Sequence, residues 1–187
     1  MLKHELRKKY KLLRAELSEN QISEQSLRIV NGLLKIPMWD FFYFHTFLSI
    51  PQNKEVDTHA LITLLQGKDK SIVVPKVTGP NTLSNYLLQD HTILKPNQWN
   101  IPEPVDGIEV EPSKIEVVFV PLLAYDVLGN RIGYGKGFYD AFLQDCSPET
   151  LKVGLSFFEP EVEVIEDVRD EDIRLDYCVT PKGLHKF

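Results

Sequence analysis

Leu2, Leu6, Tyr10, Leu13 and Leu17 recur at steps of four, four, three and four, the period that gathers side chains on one stripe of an α-helix. Lys and Arg fill the other faces of that helix. Ser18, followed three residues later by Gln21, has the form of a capping box, which predicts a second helix carrying Ile22, Ile29, Val30, Leu33 and Leu34 inward. Residues 41–50 are mainly aromatic and apolar without a helical period, and Pro51 ends the run, so a buried strand is expected there. Asp57 or Thr58 can then cap a helix running through Leu65. Further apolar or β-branched runs predict strands over 71–77, 116–123, 151–157 and 175–180, with a helix from about 137 to about 146.

Strands separated by helices argue for an α/β fold in three layers, α/β/α, around a mostly parallel sheet, with ligand sites beyond the carboxyl ends of the strands. No internal repeat is present. The chain has 187 residues, 43% of them hydrophobic, enough for one domain spanning 1–187 with a sizeable core. Its 27 Asp and Glu outweigh 21 Lys and Arg, a formal net charge of -6, which gives no overall attraction for nucleic acid or an anionic membrane. Cys146 and Cys178 lack the paired spacing of a zinc site or disulfide framework. The first residues alternate charge with leucine, unlike a signal peptide, and no stretch is long and apolar enough to span a bilayer. A cytoplasmic location is expected.

The most informative stretch is 118–140, VFVPLLAYDVLGNRIGYGKGFYD, where an apolar strand runs into a turn and then into Gly133, Gly135 and Gly137 around Lys136. Alternating glycines permit backbone conformations that turn successive N–H groups into one concavity, and a helix starting just after them adds its positive end. Arg131 and Lys136 add fixed charge, a combination suited to a polyphosphate. The spacing is neither a Walker A loop nor GxGxxG. Asp140, at the start of the helix, could share a magnesium ion with bound phosphates, or serve only as a first-turn acid. A purely structural hairpin stays open for the glycines.

The segment NRIGYGKGFYD, preceded by VPLLAYD, resembles the signature of the 5-formyltetrahydrofolate cyclo-ligases, also called methenyltetrahydrofolate synthetases. The resemblance covers nearly the whole chain: the opening K-x-x-x-R, FLSI followed by EVDT, VVPKV, WNIPEP, and D-x-x-x-D before Cys178. It implies a three-layer fold of the sugar-phosphate isomerase and CoA-transferase-like class. It also implies an ATP- and magnesium-dependent ligase that phosphorylates the formyl oxygen of 5-formyltetrahydrofolate and closes the ring to 5,10-methenyltetrahydrofolate, releasing ADP and phosphate. Carried over by resemblance, Lys3 and Arg7 contact the nucleotide, and Arg131, Ile132, Gly133, Tyr134, Gly135, Lys136, Gly137, Phe138 and Tyr139 form the nucleotide loop. Lys136 and Arg131 act in catalysis, and Tyr134, Gly135, Lys136, Gly137 and Phe138 also border the folate. Leu48, Glu55 and Trp99 line the folate site, and Asp140 and Asp172 are the magnesium-linked acids. Phe138 stands where tyrosine is frequent in that family. The expected partners are ATP and 5-formyltetrahydrofolate, with or without a polyglutamate tail, acting on a monomer. A noncatalytic folate- or nucleotide-binding regulator, or an ATP-independent enzyme of the same layered class, remains open at this point.

Overall fold

The stripe on the first helix packs in its middle: Leu13 is half-buried, Leu2 is the exposed N-cap, and Leu17 lies half-buried beyond the helix end. In the computed structural model, which describes residues 1–187, α1 (Lys3–Ala15) buries Leu6 and Tyr10. α2 (Glu19–Leu33) opens on the expected box: Gln21 N–H donates to Ser18 Oγ at 3.2 Å, and Ser18 N–H donates to Gln21 Oε1 at 2.9 Å. Ile29, Val30 and Leu33 are buried, but Leu34, expected inward, is exposed because the helix has already ended and Leu34 is its C-cap.

The strand expected over 41–50 is much shorter, β1 (Tyr43–His45), because the chain leaves the sheet after His45 and forms a 3-10 turn at Pro51–Asn53. α3 (His59–Gly67) follows, and Asp57 Oδ1 accepts from His59 N–H at 2.9 Å. β2 (Ser71–Gly79) is joined by an unanticipated β3 (Thr82–Leu87), then by a small arm of β4 (Leu94–Pro96) and β5 (Pro102–Pro104). After β6 (Val117–Pro121) comes a hairpin of β7 (Ala124–Tyr125) and β8 (Arg131–Ile132), then α4 (Phe138–Asp145). β9 (Leu151–Leu155), β10 (Tyr177–Val179) and β11 (Leu184–Lys186) complete the chain's elements.

Seven strands form one sheet in the order β11-β10-β9-β6-β1-β2-β3. The five inner strands are parallel, and the edge strands β3 and β11 are antiparallel to their neighbours. Alternation along β6 explains its unbroken apolar run. Val117 and Phe119 pack with Phe44, Val153 and Leu155 beneath α2 and α3, whereas Val118 and Val120 pack with Val73, Cys178 and Phe142 of α4. Both faces of the strand are therefore covered, as a parallel sheet requires. Leu6 and Tyr10 of α1 form a third cluster with Leu123, Ala124 and Ile132 of the hairpin, which fixes the first helix beside the loop that follows β8. Both cysteines are free and buried, and no helix is long and apolar enough to cross a membrane.

Candidate active site

Strand β1 has β2 on one side and β6 on the other, so the chain's path reverses direction across the sheet there. In an open α/β sheet such a reversal parts the loops beyond the carboxyl ends of the strands and leaves a crevice. A cavity of about 340 Å³ lies there, with Phe47 and Leu48 after β1, Pro75 and Val77 of β2 and Pro121 at the end of β6 in its wall. α1 contributes Lys3, Arg7 and Lys11, the β4–β5 arm contributes Trp99, Ile101 and Glu103, and the segment from Gly133 to Asp140 closes the remaining side.

The β7–β8 hairpin that launches this segment is pinned by Asp126, which is fully buried. Its Oδ1 accepts from Leu128 N–H at 2.9 Å and Asn130 N–H at 3.0 Å, and its Oδ2 from Asn130 Nδ2 at 2.8 Å and Ile165 N–H at 3.0 Å. The first of these is the turn by which Asp bonds the backbone two residues on. Arg131 follows in β8, its side chain only 5% exposed, and its Nη2 donates to Asp140 Oδ1 at 2.6 Å. Burial pushes the Arg131 guanidinium pKa down, while the charges of Asp140 and Asp172 oppose that push.

The three glycines do different work. Gly135 and Gly137 have φ of +89° and +72°, a region costly for residues with a Cβ, and Gly137 is the N-cap of α4, which has no side-chain cap. First-turn N–H groups of a helix have no partner within it, so this uncapped end supplies donors to the cavity wall. Gly133 has neither positive φ nor any atom within 4 Å of where a Cβ would stand; it leaves open space in the wall. Arg7 Nε donates to the Gly133 carbonyl at 3.0 Å, and the Lys136 ammonium lies over the Trp99 ring, 4.3 Å from its centroid.

Lys3 Nζ pairs with Asp172 Oδ2, which also accepts from Arg169 N–H at 2.7 Å. Burial alone would raise the Asp172 pKa, but the Arg169 N–H and the Lys3 charge hold it below the usual carboxylate range. Asp140 and Asp172 thus use Oδ1 and Oδ2 respectively and keep one oxygen each for another ligand. No group of three His, Cys, Asp or Glu side chains is placed to hold a metal. Magnesium takes one or two carboxylates and completes its shell with phosphate and water oxygens, so this donor set fits magnesium and does not fit zinc.

In the same cavity wall Glu55 is buried, accepting from Ile50 N–H at 2.8 Å on Oε2 and from the Tyr134 hydroxyl at 2.7 Å on Oε1. Of the site residues expected from sequence, Lys3, Arg7, Leu48, Glu55, Trp99, Arg131, Asp172 and the whole run from Gly133 to Asp140 line this one cavity. Ile132 does not. Its side chain, on the opposite face of β8 from Arg131, packs in the core with Leu6 and Tyr10, as the alternation of a strand dictates. Three further residues went unanticipated. Lys11 continues the step of four begun by Lys3 and Arg7, and Arg14 comes three residues later, so helical spacing alone could have added both. Glu103 accepts from Val77 N–H at 2.8 Å and Asn97 Nδ2 at 2.7 Å; one acid in a Pro-rich segment carries no such signal.

The sequence matches the model of the 5-formyltetrahydrofolate cyclo-ligase family over residues 1–181. It is 29% identical to a probable 5-formyltetrahydrofolate cyclo-ligase of Schizosaccharomyces pombe over 184 residues, 89% of each chain. It is 36% identical to the 5-formyltetrahydrofolate cyclo-ligase of Escherichia coli over 139 residues, 71% of this chain and 75% of that one. The NMR structure of Aquifex aeolicus 5,10-methenyltetrahydrofolate synthetase superposes with a TM-score of 0.85 at 33% identity, covering 100% of this chain and 93% of that one.

Proposed function

The chain belongs to the 5-formyltetrahydrofolate cyclo-ligase family and is a ligase, and from that premise we propose that residues 1–187 act as one cytoplasmic, monomeric domain that couples ATP cleavage to ring closure on 5-formyltetrahydrofolate. One observation carries the reading. The glycine segment with Arg131 and Lys136, and the buried carboxylate of Glu55, face a single cavity at the carboxyl ends of β1 and β6. A polyphosphate and a flat heterocycle with paired donors can therefore meet there.

A formamide carbon is a poor electrophile, and its oxygen is a poor leaving group. In the proposed reaction the formyl oxygen attacks the γ-phosphorus of ATP, the bond to the β,γ-bridging oxygen breaks, and ADP is released. The aryl amine nitrogen of the same folate then attacks the activated carbon, loses its proton, and phosphate departs with the former formyl oxygen, leaving the conjugated methenyl cation. No protein nucleophile is needed. The chain's task is alignment and charge compensation, performed by the backbone N–H groups at the start of α4, by Arg131 and by Lys136. Magnesium, held by Asp140, Asp172 and the nucleotide's own oxygens, would neutralise triphosphate charge when bound. Arg131 holds the Asp140 carboxylate in place from behind, and Lys3 does the same for Asp172.

The net charge of -6 gives no overall attraction for nucleic acid or an anionic membrane, whereas Lys3, Arg7, Lys11, Arg131 and Lys136 in the cavity wall suit small anionic substrates, and a folate with or without a polyglutamate tail fits the reading. The test is direct. Protein mixed with 5-formyltetrahydrofolate, ATP and magnesium should develop the ultraviolet absorbance of the methenyl product, and the same mixture without ATP should not. Absorbance that grows equally without ATP would end the coupled reading, and none under any condition would leave a binding protein.

A further inference from the structure

Arg14 projects from α1 toward the wall behind Glu55 and is only 5% exposed. Its Nη2 donates to the Leu122 carbonyl at 2.6 Å and its Nη1 to the Tyr134 hydroxyl oxygen at 2.7 Å. Arginine has donors and no acceptor. The Tyr134 oxygen must therefore accept from Arg14, which leaves its own proton for Glu55 Oε1 at 2.7 Å. With Oε2 engaged by Ile50 N–H at 2.8 Å, each oxygen of an ionised Glu55 keeps one more lone pair, on a group that lines the cavity.

We infer that Arg14 is a positioning residue which, acting through Tyr134, holds Glu55 as an ionised, two-oxygen acceptor for the adjacent N–H donors on one edge of the folate's pterin ring. The inference rests on the folate reading above and adds the device that sets which ring edge the cavity accepts. A protonated Glu55 would present a donor against the ligand's donors, and a heterocycle with an acceptor edge would meet carboxylate oxygens; both pairings are repulsive. Without Arg14 the hydroxyl proton of Tyr134 is free to turn away from Glu55.

Burial raises the Glu55 pKa above the usual range, and the Tyr134 hydroxyl, the Ile50 N–H, the Arg14 charge and Asn53 of its own loop oppose that rise. Tyr139 of α4 is the other titratable group facing it. The ionised form is present above the Glu55 pKa and is lost as pH falls through it. Removing Arg14 or the Tyr134 hydroxyl takes away one of the opposing influences, so the loss begins at a higher pH.

The experiment measures KM for 5-formyltetrahydrofolate, KM for ATP and kcat from mildly acid to mildly alkaline pH. The proteins are wild type, Tyr134→Phe, Arg14→Gln, the double variant and Glu55→Gln. Each of the first two single variants should raise the folate KM about tenfold or more and shift its acid upswing to higher pH, with the ATP KM unmoved. Arg14→Gln should add less in the Tyr134→Phe background than it does alone, because the part of its action that runs through the hydroxyl is already gone. Glu55→Gln should raise the folate KM and flatten its pH profile. Tyr134→Phe removes one oxygen and no packing, so the test survives even if Arg14→Gln fails to fold. A Tyr134→Phe enzyme with wild-type folate KM and pH profile, or one whose two KM values rise together, would overturn the inference. An inactive wild-type protein would sink the cyclo-ligase reading instead, a separate outcome.

Discussion

Gly133 and Gly135 stand two residues apart in the same wall, yet a methyl group should be felt differently at each. At Gly133 an added Cβ meets no atom within 4 Å, so Gly133→Ala should melt within about 1 °C of wild type, as a change without strain or clash does, and should lose turnover because the methyl occupies substrate space. At Gly135 the φ of +89° and the Arg7 guanidinium carbon 3.3 Å from the new Cβ make Gly135→Ala costly in stability as well, by about 1 kcal/mol or more. Paired thermal melts and kcat values for the two variants check this. Lys136 is exposed and has no protein anion as partner, only the Trp99 ring. Lys136→Ala should therefore keep its melting temperature and lose about a hundredfold or more in kcat, the usual scale for charge aimed at a transferring group. An unchanged kcat would remove Lys136 from the chemistry.

Among the elements, the two-strand hairpin β7–β8 places Arg131, and its turn is held by a single carboxylate. Asp126→Ala would leave buried N–H donors of Asn130 and Ile165 without acceptors. A loss of about 3 kcal/mol or more is expected, a fall in melting midpoint of roughly 6–12 °C for a chain of this size, readable by calorimetry. The hairpin also marks the limit of what patterns along the chain reveal. α1 and α2 declared themselves through several turns of apolar spacing and a capping box, and β6 and β9 through apolar runs matched to a fully covered sheet. β7 and β8 have two residues each, too few for any period, and are defined by side-chain bonds in the turn. β4 and β5 contain Pro96, Pro102 and Pro104, which in sequence signal a loop and which a short two-stranded arm outside the main sheet tolerates. β3 is an antiparallel edge strand whose alternation is diluted by Ser84 and Asn85, so it carries little of the apolar signal that betrays an inner strand. The candidate site was more legible than these elements, since the glycine spacing and the basic residues on α1 lie in contiguous or helically periodic positions. Glu103 escaped because one of its partners, the Val77 N–H, is remote in the chain.

Across the whole molecule, one buried base ties stability to pH. His45, in the inner strand β1, is fully buried against Tyr139 and Phe142, and burial pushes its pKa down to about 3. In the unfolded chain a histidine titrates near 6.5. Above that value neither state is protonated and His45 contributes no pH dependence. As pH falls from about 6.5 toward 3 only the unfolded state takes the proton, which costs stability at up to about 1.4 kcal/mol per pH unit. Denaturant midpoints for wild type and His45→Leu over that window should diverge on acidification, with the variant's profile the flatter; parallel profiles would exclude His45 as the cause. The pairing of Lys3 with Asp172 has a consequence of another kind. A ribosome must deliver 172 of the 187 residues before the acid that anchors the first helix's lysine exists. This tether between the first helix and the loop before β10 is thus denied to any nascent fragment that ends short of Asp172.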